Sequence, residues 1–272
     1  MNMVILINNN KIYNYKMIDI IAIVQARMGS TRLPGKILKD INGTPLIGYT
    51  LKRLQKSKVI DKVVLATSTN IENDPVEKYC NSIGIDCFRG GDNEDDVLDR
   101  FYKCSKKYDA DIILRITGDC PLIDPEVINK HIEFYIDNDY DITINTWFKN
   151  SYPSGFDVEI FDFNALEKQW KIEKNIDRRE HVMNTLTNNN FDICKYADLT
   201  KEFINSLNFD INQLHLSVDT PEDFQLVETI IKHFNNDIFT FNDIIEYLNN
   251  NTELVKLNWS ESRQKIIDKL KN

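Results

Sequence analysis

Short apolar runs of three to five residues recur between longer segments of helical pattern. This alternation restricts the possible folds more than any other feature of the chain. Ile20–Val24, Val63–Thr67, Ile85–Phe88, Ile112–Ile116 and Ile142–Ile144 read as strands. The intervening stretches 44–55, 74–83 and 95–108, and the one opening at Pro125, read as helices. Thr44-Pro45 supplies a start signal, Asp74-Pro75-Val76-Glu77 a capping-box-like start and Asp95-Asp96 an acidic first turn. Short apolar strands separated by helices imply a mostly parallel, doubly wound sheet covered on both faces, a three-layer α/β fold. In such a sheet the ligand lies beyond the carboxyl ends of the strands.

Beyond residue 147 the pattern loosens. Tyr152–Gly155 reads as a turn, Asp157–Phe161 as an edge strand, Asn164–Lys171 as a helix and Phe191–Tyr196 as a strand. Arg178-Arg179-Glu180-His181 opens a further helix. Leu214–Val218 reads as a late strand, after which Thr220-Pro221-Glu222-Asp223 caps a helix and terminal helices follow. There is no repeat and no long linker. The expectation is one domain over 17–272, with an excursion at 147–196. The Asn- and Lys-rich residues 1–16 precede a second possible start at Met17 and read as a dispensable extension.

The chain of 272 residues carries a net charge of −9, which argues against a general nucleic-acid binder. Its five cysteines form no C-x-x-C pair, so neither a zinc site nor a disulfide framework is indicated. No apolar stretch approaches the roughly 20 residues that span a bilayer, and the expected location is the cytoplasm.

Against that acidic background, "QARMGSTRLPGK" at 25–36 concentrates Arg27, Arg32, Lys36 and two glycines just after the first strand. It is not a Walker A loop. Gly29 to Gly35 is one residue too long, and Ile37 stands where a magnesium-binding hydroxyl is required. The dinucleotide G-x-G-x-x-G is also absent. Exposed backbone N–H groups beside three cations suit a polyphosphate, but a solvated basic loop fits the composition equally well. Asp119 and Asp219 each follow an apolar run, and two converging carboxylates could hold magnesium; either could also be a helix cap. Arg178-Arg179-Glu180-His181, with Asp157 and Glu159 upstream, form a third polar group, which could bind an acidic or hydroxylated substrate or be a charged first helical turn. His131, His215 and His233 show no ligand spacing and read as structural or surface residues.

Seven segments then occur in one order: "IVQARMGSTRLPGK", "ATSTNIENDP", "FRGGDNEDDVLDRF", "RITGDCPLID", "PSGFDVEIF", "RREHV" and "VDTPEDF". Over roughly 18–235 the chain resembles the spore-coat polysaccharide cytidylyltransferases, a branch of the CMP-sugar synthetases that includes the CMP-KDO and CMP-sialate enzymes. The resemblance implies a nucleotide-diphospho-sugar transferase fold, a homodimer with 147–196 as its sugar-binding and dimerisation excursion, and the conversion of CTP and an acidic sugar to CMP-sugar and pyrophosphate. It implies that Arg27 and Lys36 hold the triphosphate and that the backbone at Ala26, Arg27 and Met28 faces the cytosine. Gly29, Ser30 and Arg32 belong to the same loop, and Asp96 and Arg100 would lie near the base or the sugar entrance. Asp119 and Asp219 would bind Mg2+, while Asp157, Glu159, Arg179 and His181 would face the sugar. Gln25, where the better-known relatives usually carry proline, and Cys120 beside Asp119 depart from the pattern. Transfer to a sugar phosphate with another NTP stays open. So does a glycosyltransferase, although its Asp-x-Asp signature is missing at 119–121, and so does a non-catalytic binding protein.

A chain starting at Met17 is expected to fold and act normally. Loss of soluble protein on that truncation, read by size-exclusion yield, would refute the dispensable extension.

Overall fold

The computed structural model describes residues 18–183, 191–236, 239–260, 263–265 and 268; the 1–16 extension lies outside them. The first half runs β1 (Ile20–Gln25), β2 (Asp40–Ile41), β3 (Thr44–Pro45), α1 (Leu46–Leu54), β4 (Lys62–Thr67), α2 (Asp74–Ser82), β5 (Asp86–Arg89), α3 (Val97–Lys107), β6 (Ile112–Thr117), α4 (Pro125–Asp137) and β7 (Ile142–Ile144). There follow β8 (Glu159–Asp162), α5 (Phe163–Ile172), α6 (Ile176–Arg179), β9 (Ile193–Lys195), α7 (Lys201–Asn205), α8 (Pro221–Phe234), α9 (Phe241–Asn250) and α10 (Thr252–Val255).

Seven strands form one sheet in the order β5-β4-β1-β6-β8-β7-β9, and β2 pairs with β3 in a separate hairpin. Only β8 runs against the others, antiparallel to both β6 and β7. Side chains alternate across each strand, so both faces are apolar and both are covered. Ile20, Ala22, Val24, Leu65, Leu114 and Ile116 pack with Leu51 of α1, Val76 of α2 and Ile128 of α4. Ile21, Ile23, Val64 and Ile113 pack on the opposite face with Phe101 of α3 and Leu166 of α5. Burying each such side chain contributes about 1.5–3 kcal/mol before conformational entropy is counted. A third cluster joins Leu226, Val227 and Ile230 of α8 and Ile244 and Leu248 of α9 to Leu33, Ile41, Leu122 and Phe156. The C-terminal helices are thereby seated under the loops at the carboxyl edge of the sheet. Arg53 of α1, fully buried, ties that junction by donating to the carbonyls of Ile123 (2.6 Å) and Phe239 (2.7 Å).

Several local expectations are corrected. Thr44 is not the cap of α1 but a strand residue opposite Ile41, because Asn42 and Gly43, both at positive φ (51° and 78°), make a tight hairpin turn. Asp74 begins α2 without a capping box; the cap position is Asn73, whose side chain makes no cap bond. The 157–161 strand is internal, since β8 is paired on both sides. The Arg178-Arg179 pair ends the one-turn α6 instead of opening a helix. Leu214–Val218 forms no ladder and makes one isolated bridge, Ser154 to His215. Among the described residues no helix is long and apolar enough to cross a membrane.

His131 of α4 is fully buried, stacks on Tyr196 with ring centroids 4.6 Å apart, and has no hydrogen-bond partner for either ring nitrogen among the described residues. Burial pushes its pKa down to about 3, against a smaller opposing pull from the Asp198 carboxylate. The folded protein keeps the ring neutral while the unfolded chain protonates it near 6.5, so stability falls as pH drops from about 6.5 towards 3. Between pH 8 and pH 5 this residue alone is expected to remove about 2 kcal/mol of stability. His131→Phe should flatten that part of a denaturant-measured stability profile; an unchanged pH slope would show that the ring does not carry it.

Candidate active site

The chain leaves β1 towards β4 on one side and later returns to β6 on the other, so the carboxyl ends of β1 and β6 flank a topological switch point. The loop after β1 folds on itself there. The N–H groups of Ser30 and Gly35 both donate to the Met28 carbonyl, at 2.9 and 3.3 Å. The buried Asn73 accepts from the Met28 N–H at 2.8 Å and donates to Ser68 and Glu94, fastening this loop to those after β4 and β5. After β6 the backbone comes very close. A Cβ on Gly118 would lie 2.8 Å from Ile47 Cδ1, 2.9 Å from Ala26 Cβ and 3.0 Å from the Gln25 carbonyl oxygen.

Lys36 Nζ lies at the centre of this edge. It donates to Asp119 Oδ2 at 2.7 Å, Asp219 Oδ1 at 2.9 Å and the Val218 carbonyl at 2.7 Å, which accounts for its three N–H groups. Burial disfavours the ammonium, but the two carboxylates outweigh it and hold the Lys36 pKa above its usual value. Burial likewise opposes ionisation of Asp219, yet Lys36 and then Arg32, 2.9 Å away, hold its carboxyl below the usual range. Asp219 is not a helix cap. Thr220 and Asp223 form a capping box on α8, leaving the Asp219 side chain to the site.

Two clefts meet at Asp119 and Asp219. The first, about 280 Å³, is lined by Ala26, Arg27, Gly29, Ser30, Arg32, Lys36 and Arg100 among others. Arg27 faces three carboxylates there: Asp95 at 2.9 Å, Glu180 at 3.5 Å and Glu94 at 3.7 Å. Arg100 is buried and donates to the carbonyls of Gly90, Asn93 and Glu94, so it shapes the cleft wall. The second cleft, about 560 Å³, takes in Asp157, Glu159 and His181 together with Arg115, His215 and Ser217. Because β8 is reversed, its amino end lies at the carboxyl edge of its neighbours, which delivers Asp157 and Glu159 to the cleft. Burial pushes the Asp157 carboxyl up, against hydrogen bonds from Gly155 N–H (2.7 Å) and Thr146 Oγ1 (3.0 Å).

Three expected site residues are placed elsewhere. Met28 lines neither cleft; its side chain packs on the core and its N–H and carbonyl are both engaged within the protein. Arg179 is buried and does not line the second cleft, donating to Asp96 Oδ1 and to the Glu173 carbonyl, both at 2.8 Å. Asp96 accepts that bond and caps α3 through the Asp99 N–H, so the pair is a staple between α6 and α3. Conversely, Arg115 and His215 belong to the second cleft although neither was expected there. Arg115 is a charge inside the apolar run IILRIT, and His215 alternates with Leu214 and Leu216 so that 215, 217 and 219 share a face; both signals stand in the sequence.

Residues 21–266 match the profile of the cytidylyltransferase family. The chain belongs to that family. It is 33% identical over 220 residues to the spore coat polysaccharide biosynthesis protein SpsF of Bacillus subtilis, covering 78% of this chain and 86% of that one. The structure of a cytidylyltransferase from Leptospira borgpetersenii superimposes with a TM-score of 0.80 at 31% identity, covering 89% of this cytidylyltransferase and 98% of the other. A CMP-2-keto-3-deoxy-manno-octonic acid synthetase complexed with CTP shares the fold, with a TM-score of 0.59 at 18% identity and coverage of 79% and 99%.

Gly118→Ala is expected to push the loop after β1 away from β6, costing about 1–3 kcal/mol and several degrees of melting temperature. An unchanged thermal melt would show that the contact yields without cost.

Proposed function

We propose that this cytidylyltransferase transfers the cytidylyl group of CTP to a hydroxyl of an acidic sugar, releasing pyrophosphate and forming a CMP-sugar for surface-glycan synthesis. The observation that carries this reading is the Lys36–Asp119–Asp219 cluster, placed where a cation-lined cleft meets a larger polar one. The smaller cleft suits a triphosphate, with Arg27, Arg32 and Lys36 as its charges; the larger one suits a sugar beside Asp157, Glu159 and His181.

The donor set fits magnesium. Lys36 occupies one oxygen of each carboxylate, while Asp219 Oδ2 accepts no hydrogen bond among the described residues and Asp119 Oδ1 meets only the Cys120 thiol at 3.8 Å. No cluster of three or more acidic, histidine or cysteine ligands occurs among the described residues. Two carboxylates are what magnesium uses when it keeps several waters and takes its other oxygens from substrate phosphates. Asp119 and Asp219 would hold the ion, which when bound neutralises phosphate charge and makes the sugar hydroxyl more acidic. The protein's share is positioning and charge. Arg27, Arg32 and Lys36 neutralise the departing pyrophosphate, and the meeting of the two clefts aligns the hydroxyl opposite it for in-line attack on the α-phosphorus.

Pyrophosphate release, measured with each NTP, magnesium and a panel of sugar acids and sugar phosphates, tests the reading. CTP-dependent release with a sugar acid is expected. Release only with another NTP or only with a sugar phosphate would overturn it. Asp119→Ala and Asp219→Ala should each lower kcat/KM at least about 100-fold with circular dichroism unchanged; full activity in both would refute their assignment.

A further inference from the structure

We propose that Arg115 is the specificity-determining residue of the larger cleft and receives the carboxylate of the sugar. The inference rests on the transfer to an acidic sugar proposed above and names the group that recognises the acid. Asp119, Asp157, Glu159 and Asp219 all line that cleft; Lys36 and Arg32 balance Asp119 and Asp219 from the first cleft, so an anion arriving beside Asp157 and Glu159 needs a further cation. Among the described residues Arg115 is the one lysine or arginine lining this cleft. The two histidines there do not replace it. His215 is held at about 4 by burial and the nearby Arg263, hence neutral near pH 7, and His181 is exposed.

The guanidinium is already oriented. Its Nη1 donates to Glu159 Oε1 at 2.6 Å and its Nε to Gln25 Oε1 at 3.1 Å, a row of three side chains across β1, β6 and β8 on one face of the sheet. Nη2 donates no hydrogen bond among the described residues, which leaves two N–H groups for an incoming carboxylate. Beside it, Glu159 Oε2 is enclosed with no hydrogen-bond partner among the described residues. An ion pair at this depth adds little to stability compared with apolar side chains, so its place in a cleft wall points to recognition. The planar fork matches a carboxylate better than a lysine would.

The test uses the full-length enzyme, CTP, magnesium, the sugar acid giving the highest pyrophosphate release, and the primary carboxamide of that acid. Wild type is expected to prefer acid over amide. Arg115→Gln should raise KM for the acid about 100-fold, leave KM for CTP within about twofold, and abolish the preference. Arg115→Lys should retain part of it. If Arg115 only props up Glu159, acid and amide will suffer equally and the preference will survive, which overturns the proposal. Glu159→Gln gives an independent reading even if Arg115→Gln fails to fold. Removing the competing carboxylate should keep or increase the preference for the acid, and a fall would overturn the proposal. Absence of any sugar-acid reaction in wild type refutes the transfer itself, an outcome distinct from a variant that keeps its preference.

Discussion

The ammonium of Lys36 binds together three stretches of chain that are otherwise unrelated in sequence: the loop after β1, the end of β6 and the segment entering α8. Each contact alone would be a poor use of buried charge, because desolvating an ammonium or a carboxylate costs several kcal/mol. Together they satisfy every donor of the lysine, and the cation offsets the repulsion between Asp119 and Asp219. The geometry of the site therefore depends on a lysine placed between two carboxylates. The rest of the fold works to deliver those three side chains.

Delivery depends on packing some distance from the charges. Gly118 lets the end of β6 lie against the backbone of the first loop, which sets Asp119 within reach of Lys36. The capping box of α8 takes Thr220 and Asp223, so the preceding aspartate is left for the cleft. Asp223 is itself fully buried and held by Arg263 and Asn258, which fixes the first turn of that helix. The apolar cluster under α8 and α9 then anchors residues 214–219, which lack a strand ladder of their own, against Phe156 and Leu122. The reversal of β8 serves the same edge, bringing acidic residues at its amino end to a place where parallel strands present their carboxyl ends.

The parts of this arrangement that were legible in the sequence are those encoded locally. Apolar runs of both-face burial mark β1, β4 and β6, and the glycine- and cation-rich segment after β1 marks the loop. Lys36, Asp119 and Asp219 could be named because each follows a strand signal. What local pattern could not supply was the partner of each charge. Arg179 and Asp96 are 83 residues apart and bond each other, a pairing that no local pattern shows. Asp157–Phe161 alternates as an edge strand would, but here its less buried positions face a cleft and not bulk solvent, so the same pattern occurs in the middle of the sheet. Arg115 was hidden by the strength of the strand signal around it.

Among the described residues, four of the cations facing the two clefts are ion-paired within the protein, Arg27 with Asp95, Glu94 and Glu180, Arg32 with Asp219, Lys36 with both aspartates, and Arg115 with Glu159, while Arg100 is held by backbone carbonyls. An arriving polyanion therefore competes with carboxylates and does not meet bare charge. The net gain per contact is the difference between two ion pairs, smaller than either alone. Such a site discriminates by geometry, since a ligand must match several exchanged partners at once before the balance favours it. The exchange also makes the clefts interdependent. Moving Lys36 towards any ligand would leave Asp119 and Asp219 short of a cation, and those carboxylates form the wall shared with the larger cleft. Charge balance in one cleft is thus set partly by what occupies the other, through contacts of under 3 Å at Lys36.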